Sequence, residues 1–289
     1  MQPVSDLSSK YNYMIGKFII SIALAVSVVV SIDAFSRIRS DRGILGGSEY
    51  VLNESGRIGT SPDEQWWVNS GGRVIFGRDL FETVHGSISD SDPWRLLYAK
   101  NNPLDTDNGY HPQNILRLVN RGNWRNLRQE AYFRIDKDEL SRSPNRNASN
   151  GVFLFNRYVD GNNLYYTGLR VDGAAVIKKK IDRIYYTLDY RPMIAGRYDP
   201  TVSPNLLPHG VWIGVRSEVV TTSRNSVNIK VYADIGETGN WIIVAEATDN
   251  GTIAGPINDS FAHAGIRTDF MDVSFKDYKI EELSQENDM

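Results

Sequence analysis

Asp136, Asp138 and Glu139 form a tight run of carboxylates in the chain. Two opposed carboxyl groups about 5–5.5 Å apart, or a wider pair, can hydrolyse a glycosidic bond. These three follow an alternating apolar run and precede Arg142-Ser143-Pro144, so they read as a solvated turn. A different chemistry, elimination from an acidic sugar, needs a cation or amide to neutralise the carboxylate. It also needs a Tyr or His to take a proton and return one to the leaving oxygen. Arg128, Arg157, Arg170, Lys178, Tyr166, Tyr185 and His111 are groups of those types. On exposed sheet faces the same residue types also serve as plain cross-strand pairs. Binding a sugar asks for less: rings against its C–H faces and planar polar side chains for its hydroxyls. Trp66-Trp67, Trp94, Trp124, Tyr165-Tyr166 and Tyr185-Tyr186 supply rings. The expected ligand-binding set is Arg128, Arg157, Tyr166, Arg170, Lys178 and Tyr185, with no catalytic residue assigned.

Composition narrows the classes. The 289 residues allow one large domain or two small ones. A net charge of −3 argues against a general nucleic-acid binder, which needs a dense basic surface. With no cysteine, disulfides, thiolate metal sites and a cysteine nucleophile are excluded. The four histidines (His85, His111, His209, His263) are not spaced as a helical metal pair. Lys178-Lys179-Lys180 could meet an anionic glycan or phospholipid, or be a solvated strand end.

Residues 18–32 (FIISIALAVSVVVSI) carry no charge. As a helix they cover about 22 Å, and residues 14–34 reach about 31 Å if Lys17 and Asp33 extend to the interface. The run is apolar on every face, so it is expected to be a single membrane-spanning anchor or, in the alternative, a signal peptide cleaved near Ala34. Basic residues flank both sides: Lys10 and Lys17 before, Arg37, Arg39 and Arg42 after. Counted alone, they place the C-terminal side inside. Residues 43–65 are rich in Gly, Ser and polar groups and read as a linker, and residues 284–289 as an acidic tail.

Between residues 66 and 283 the apolar periodicity is that of strands. Residues 227–233 (VNIKVYA) alternate strictly. Leu127, Ala131, Phe133 and Ile135 share one face, with Gln129 an exception among them. Further strands are expected at 94–100, 115–120, 151–158, 163–171, 174–180, 184–188, 211–220, 241–248, 262–267 and 273–280. In the last, the phase changes between Phe275 and Tyr278, which asks for a β-bulge near Lys276-Asp277. Asp160-Gly161 and Asp172-Gly173 are hairpin turns. In each Tyr-Tyr pair one ring should point to the core and the other outward. Trp212 and Trp241, within apolar runs, are expected in the core, and Trp66-Trp67 on an edge strand. Pattern alone leaves barrel and sandwich open.

Residues 151–188 resemble the central hairpins of concanavalin A-like lectin/glucanase domains, in their laminin-G-like and family-16-like versions. The residues that carry the resemblance are Gly151, Arg157, Asp160, Asn163, Tyr165, Tyr166 and Lys178. VNIKVYADIG (227–236) and HAGIRTDFMDVSFKDYKI (263–280) resemble that family's later strands. The resemblance implies an all-β fold, a two-sheet antiparallel jelly-roll sandwich, here preceded by one N-terminal hydrophobic helix. It also implies a sugar-binding face on one sheet, and a structural calcium ion to which Asp79, Asp136, Asp272 and Asp277 could contribute oxygens. The paired-acid strand motif of the glucanases and the strand motifs of the alginate lyases are absent. The expectation is therefore a carbohydrate-binding sandwich at 66–283, anchored in the membrane through residues 14–34 and displayed outside the cell, or secreted after cleavage. The alternatives are a polysaccharide lyase and a structural or adhesive module.

Overall fold

The computed structural model describes residues 50–222 and 225–284. The expected N-terminal helix, with its membrane segment at 14–34, lies outside the described residues, as does the acidic tail beyond its first residue. Among the described residues no helix is long and apolar enough to cross a membrane.

The described chain opens with β1 (Tyr50–Asn53), β2 (Trp66–Ser70), β3 (Arg73–Phe76) and β4 (Phe81–Glu82). A helix, α1 (Pro93–Asn101), leads to β5 (Ile115–Trp124) and β6 (Leu127–Asp138). Next come β7 (Gly151–Asp160), β8 (Asn163–Arg170), β9 (Ala174–Ile181) and β10 (Ile184–Pro192). The remainder is β11 (Trp212–Thr221), β12 (Val227–Ile235), β13 (Ile242–Asp249), β14 (Ala262–Asp269) and β15 (Met271–Glu282). They form two antiparallel sheets. One has eight strands in the order β1-β3-β4-β15-β6-β11-β12-β13, the other seven in the order β10-β9-β8-β7-β14-β5-β2. The sandwich of the sequence reading, not a barrel, is what forms.

Alternation decides which side chains fill the space between the sheets. The seven-stranded sheet sends in Leu118, Leu154, Ile177 and Ile266; the eight-stranded one sends in Phe133, Val215, Ile229 and Phe275. Gln129, the polar exception in β6, is fully buried there. Its amide donates to Phe155 O at 2.8 Å and Asn156 Oδ1 at 2.7 Å, and its oxygen accepts from Tyr278 OH at 3.0 Å. The group is thus satisfied in place, which is the condition for a buried amide.

The hairpins of 151–173 and the bulge at Lys276-Asp277 form as expected: β7, β8 and β9 are successive neighbours, and the β15–β6 register shifts between Lys276 and Lys279. Trp66-Trp67 lie on β2, at an edge of the seven-stranded sheet. Three expectations are corrected. Residues 94–100 are helical, because Asp92 accepts from Trp94 N at 2.9 Å and Pro93 occupies the first turn, an N-cap arrangement that outweighs the apolar run. The polar stretch 43–65 contains β1, paired with β3, so the sandwich begins by Tyr50 rather than at Trp66. Trp212 and Trp241 lie on the outer face of the eight-stranded sheet, because Ile213 and Val215 already take the inward parity of β11.

Candidate functional site

The two outer faces differ in how they handle charge. On the eight-stranded sheet one row runs Glu281, Arg128, Glu218, Lys230, Glu246 across five adjacent strands, alternating in sign at every step. Arg128 lies 2.7 Å from Glu281 and 2.6 Å from Glu218, and Lys230 lies 3.4 Å from Glu246. In the next row Glu130 is held between Lys279 at 2.9 Å and Arg216 at 2.6 Å. The rings of this face are occupied as well. Arg216 sits 4.1 Å from the centre of the Trp241 ring, and Lys276 lies 4.4 Å from that of Trp212. This face is neutralised by its own side chains, and its indoles are already covered by cations.

The seven-stranded sheet presents aromatic rings and cations instead. Register places Arg117, Arg267 and Phe153 in one row, and Phe155, Tyr166 and Lys178 in the next. Lys180 and Tyr185 face each other across β9 and β10. The floor is apolar: Trp67, Val119, Phe153, Phe155, Tyr158, Leu164, Tyr166 and Val176 form a second buried cluster. Two glycines make room for it. Phe153 is opposite Gly168, and Phe155 opposite Gly265. A Cβ at Gly168 would come within 2.9 Å of the Phe153 ring, and one at Gly265 within 2.6 Å of the Phe155 ring, so each phenyl lies over a bare backbone.

Above this floor stands the Tyr166–Tyr185 pair, with ring centres 5.8 Å apart and planes 30° from parallel. Tyr166 is buried and Tyr185 is 44% exposed, so the second ring is the one that projects. Arg267 braces both: its Nη1 donates to Tyr166 OH at 3.1 Å and to Tyr185 OH at 3.2 Å. Its Nε donates to Asp269 Oδ1 at 2.7 Å, which fixes the guanidinium. Lys180 Nζ lies 4.5 Å from the centre of the Tyr185 ring and Lys178 Nζ 5.7 Å from it.

Of the expected set, the structure brings Tyr166, Lys178 and Tyr185 together. Arg170 shares their face but is engaged by Asp172 at 2.7 Å and stacks 5.0 Å from the Tyr190 ring centre. Arg128 belongs to the charge lattice of the opposite sheet. Arg157 is fully buried at an end of the sandwich. A register shift in β7 and a positive φ of 50° turn it inward, where it donates to Arg125 O, Asn258 O and Thr221 Oγ1 at 2.7–2.8 Å. Arg157 is therefore corrected as a surface ligand-binding residue, and Arg128 lies on the opposite face from the rest of the set. The Lys178-Lys179-Lys180 run splits by parity. Lys179 points inward and is fully buried 2.9 Å from Asp249. Arg267 was missed, and Lys180 was named only within the lysine run and not in the binding set, although parity marks both: Arg267 follows the core residue Ile266, and Lys180 is two residues from Lys178.

Two of the four carboxylates named for calcium are already engaged within the protein. Asp272 is buried and accepts from Gly86 N and Gln113 Nε2 at 2.8 and 2.9 Å; Asp136 is taken by Arg134 and Ser274, each at 2.6 Å. Among the described residues no group of three or more acidic or histidine side chains is arranged to hold a metal ion. A small hollow is lined by Glu139, Arg146, Asn150, Tyr198 and Asp269, the last of which also accepts from Arg267.

No protein-family model matches the chain, and no curated protein matches it. Among solved structures, the chain is similar to the carbohydrate binding module CBM66 from Bacillus subtilis at 12% identity and a TM-score of 0.39, covering 58% of this chain and 83% of that one. It is similar to the calcium- and Man3GlcNAc-bound exoplasmic/lumenal domain of VIP36 at 10% identity and a TM-score of 0.44, covering 78% and 89%. A protein of unknown function with a galectin-like fold from Bacillus subtilis gives 10% identity and a TM-score of 0.41, covering 83% and 100%.

Proposed function

We propose that the chain is a carbohydrate-binding β-sandwich of the concanavalin A-like type, held outside the cell by its N-terminal apolar segment. Its binding surface is the outer face of the seven-stranded sheet. The observation that carries this reading is the exposed Tyr185 ring, braced by Arg267 above a floor of buried aromatics. A braced ring offers a flat apolar platform without ordering cost, and the surrounding donors can meet ring hydroxyls. On the opposite face Trp212 and Trp241 are only partly exposed beneath Lys276 and Arg216, whereas Tyr185 keeps 44% of its surface open although Lys178 and Lys180 flank it.

A second reading, a polysaccharide lyase, is favoured by one contact: Tyr185 OH lies within hydrogen-bond reach of Arg267 Nη1. A phenol so placed could exchange a proton with a sugar carbon while cations hold a neighbouring carboxylate.

The test uses purified full-length protein in a mild neutral detergent and a panel of neutral and uronic-acid polysaccharides. Retention in affinity gels and release of unsaturated or reducing ends are followed together. Retention without product is the expected result. Unsaturated ends would establish the lyase, and the absence of both signals would contradict glycan recognition.

A further inference from the structure

Charge on the aromatic face is unbalanced in a way that the outer face of the eight-stranded sheet is not. Arg117, Lys178, Lys180 and Arg267 converge there, and of these Arg267 alone has a carboxylate partner among the described residues. Lys180 Nζ is bonded to a neutral carbonyl, Gly161 O, at 2.7 Å. Arg117 reaches only Asn69 Oδ1, at 3.5 Å, and its buried Nε has no partner. Lys178 stands against the Tyr185 ring. Burial, and after it the charges of Arg170 and Arg267, push the Lys178 ammonium below its ordinary pKa. Burial, with Arg117 and Arg267, does the same at Lys180. Grouping like charges on a half-buried surface costs stability, whereas the opposite sheet places a carboxylate beside Arg128, Arg216, Lys230, Lys276 and Lys279. A ligand that brings its own negative charge removes that cost.

We infer that this face takes an acidic saccharide, with Tyr185 stacking on one sugar ring and Lys178, Lys180 and Arg117 receiving its carboxylate or sulfate. The inference rests on the carbohydrate-binding reading and sharpens it to a ligand class. The shape of the site supports a sugar: Lys178, Lys180 and Arg267 lie against the projecting Tyr185 ring. Charge-assisted hydrogen bonds to these groups contribute more than neutral ones and give preference over uncharged glycans of the same backbone.

Matched polymers separate the two levels of the claim. Polygalacturonate and its methyl ester share a backbone and differ in charge; dextran sulfate and dextran do the same for sulfate. Full-length protein should bind at least one acidic polymer about tenfold more tightly than its neutral match, with the preference shrinking as salt is added. The two acidic arms distinguish carboxylate from sulfate. Lys178→Gln with Lys180→Gln should abolish the preference, bringing affinity for the acidic polymer down to that for its neutral match. Lys178→Arg with Lys180→Arg should retain the preference, and Lys230→Gln with Lys279→Gln on the opposite sheet should not alter it. Equal affinity for charged and neutral polymers would overturn the acidic class while sparing the glycan-binding reading. Binding to no polymer would overturn both. An equal loss from the opposite-sheet substitutions would also overturn the site, because it would reduce the preference to overall charge.

Discussion

Replacing Asp249 by asparagine is expected to lower the unfolding free energy by about 3–5 kcal/mol. Asp249 and Lys179 are both buried, 2.9 Å apart. Lys179 also donates to Ile253 O at 3.1 Å and Gly255 O at 2.9 Å, while Asp249 accepts from Tyr165 OH at 2.6 Å and Gly251 N at 3.0 Å. The pair therefore clips the connection between β13 and β14 onto the seven-stranded sheet. Asp249→Asn leaves the ammonium buried with two neutral carbonyls and no counter-charge. Lys179→Met should cost a comparable amount by stranding the carboxylate. The double variant should cost less than the sum of the two, because each change removes the reason for the other's penalty. Denaturant unfolding at constant slope measures all three. A loss below about 1 kcal/mol for Asp249→Asn would show that the buried charge is not the constraint. The consequence reaches the binding face, because this connection leads into β14, which carries Arg267.

The second large effect concerns binding. Tyr185→Ala is expected to weaken glycan retention about thirtyfold, the equivalent of about 2 kcal/mol for the loss of a central aromatic anchor. Stability should hardly change, since the ring is 44% exposed and Arg267 keeps Asp269 and Tyr166 as partners. Tyr166→Ala should behave in the opposite way. Its ring is buried between Phe153 and Tyr185, so its removal opens a cavity and destabilises the sheet. Tyr185→Phe separates the two functional readings: it keeps the platform and removes the acid–base group. Near-normal retention supports stacking. Product release by the parent chain that disappears in this variant would make Tyr185 a proton carrier.

Much of the architecture was readable because the side-chain period of a strand is fixed. Residues 227–233 and 151–173 declared their inward and outward faces without knowledge of their partners, and that parity is what brought Tyr166, Lys178 and Tyr185 to one surface. The failures arose where the period breaks. Arg157 has the outward parity of Phe153 and Phe155, but the bulge in β7 reverses it and carries the guanidinium inward. Helix α1 begins at Asp92-Pro93, a start signal present in the sequence but overridden in the reading by the apolar residues that follow. Four-residue β1 is too short to show a period at all. Arg267 was missed for another reason. Its parity is plain, but its importance depends on β14 lying between β5 and β7, a long-range pairing that no local pattern reveals. The same holds for Arg128, whose partners Glu218 and Glu281 come from strands far along the chain.

The most direct test of the binding face reads individual lysines. Full-length protein is treated with limiting acetylating reagent, with and without saturating polysaccharide, and each lysine's acetylation rate is followed by mass spectrometry. Lys178 and Lys180 lie on the aromatic face, whereas Lys230, Lys276 and Lys279 lie on the opposite sheet and serve as internal controls. The expected result is a severalfold slowing at Lys178, the more exposed of the two, when polysaccharide is bound, with unchanged rates at the three lysines of the opposite sheet. Slowing at Lys230, Lys276 or Lys279 instead, or bound polysaccharide that protects neither face, would contradict the placement of the carbohydrate on the seven-stranded sheet.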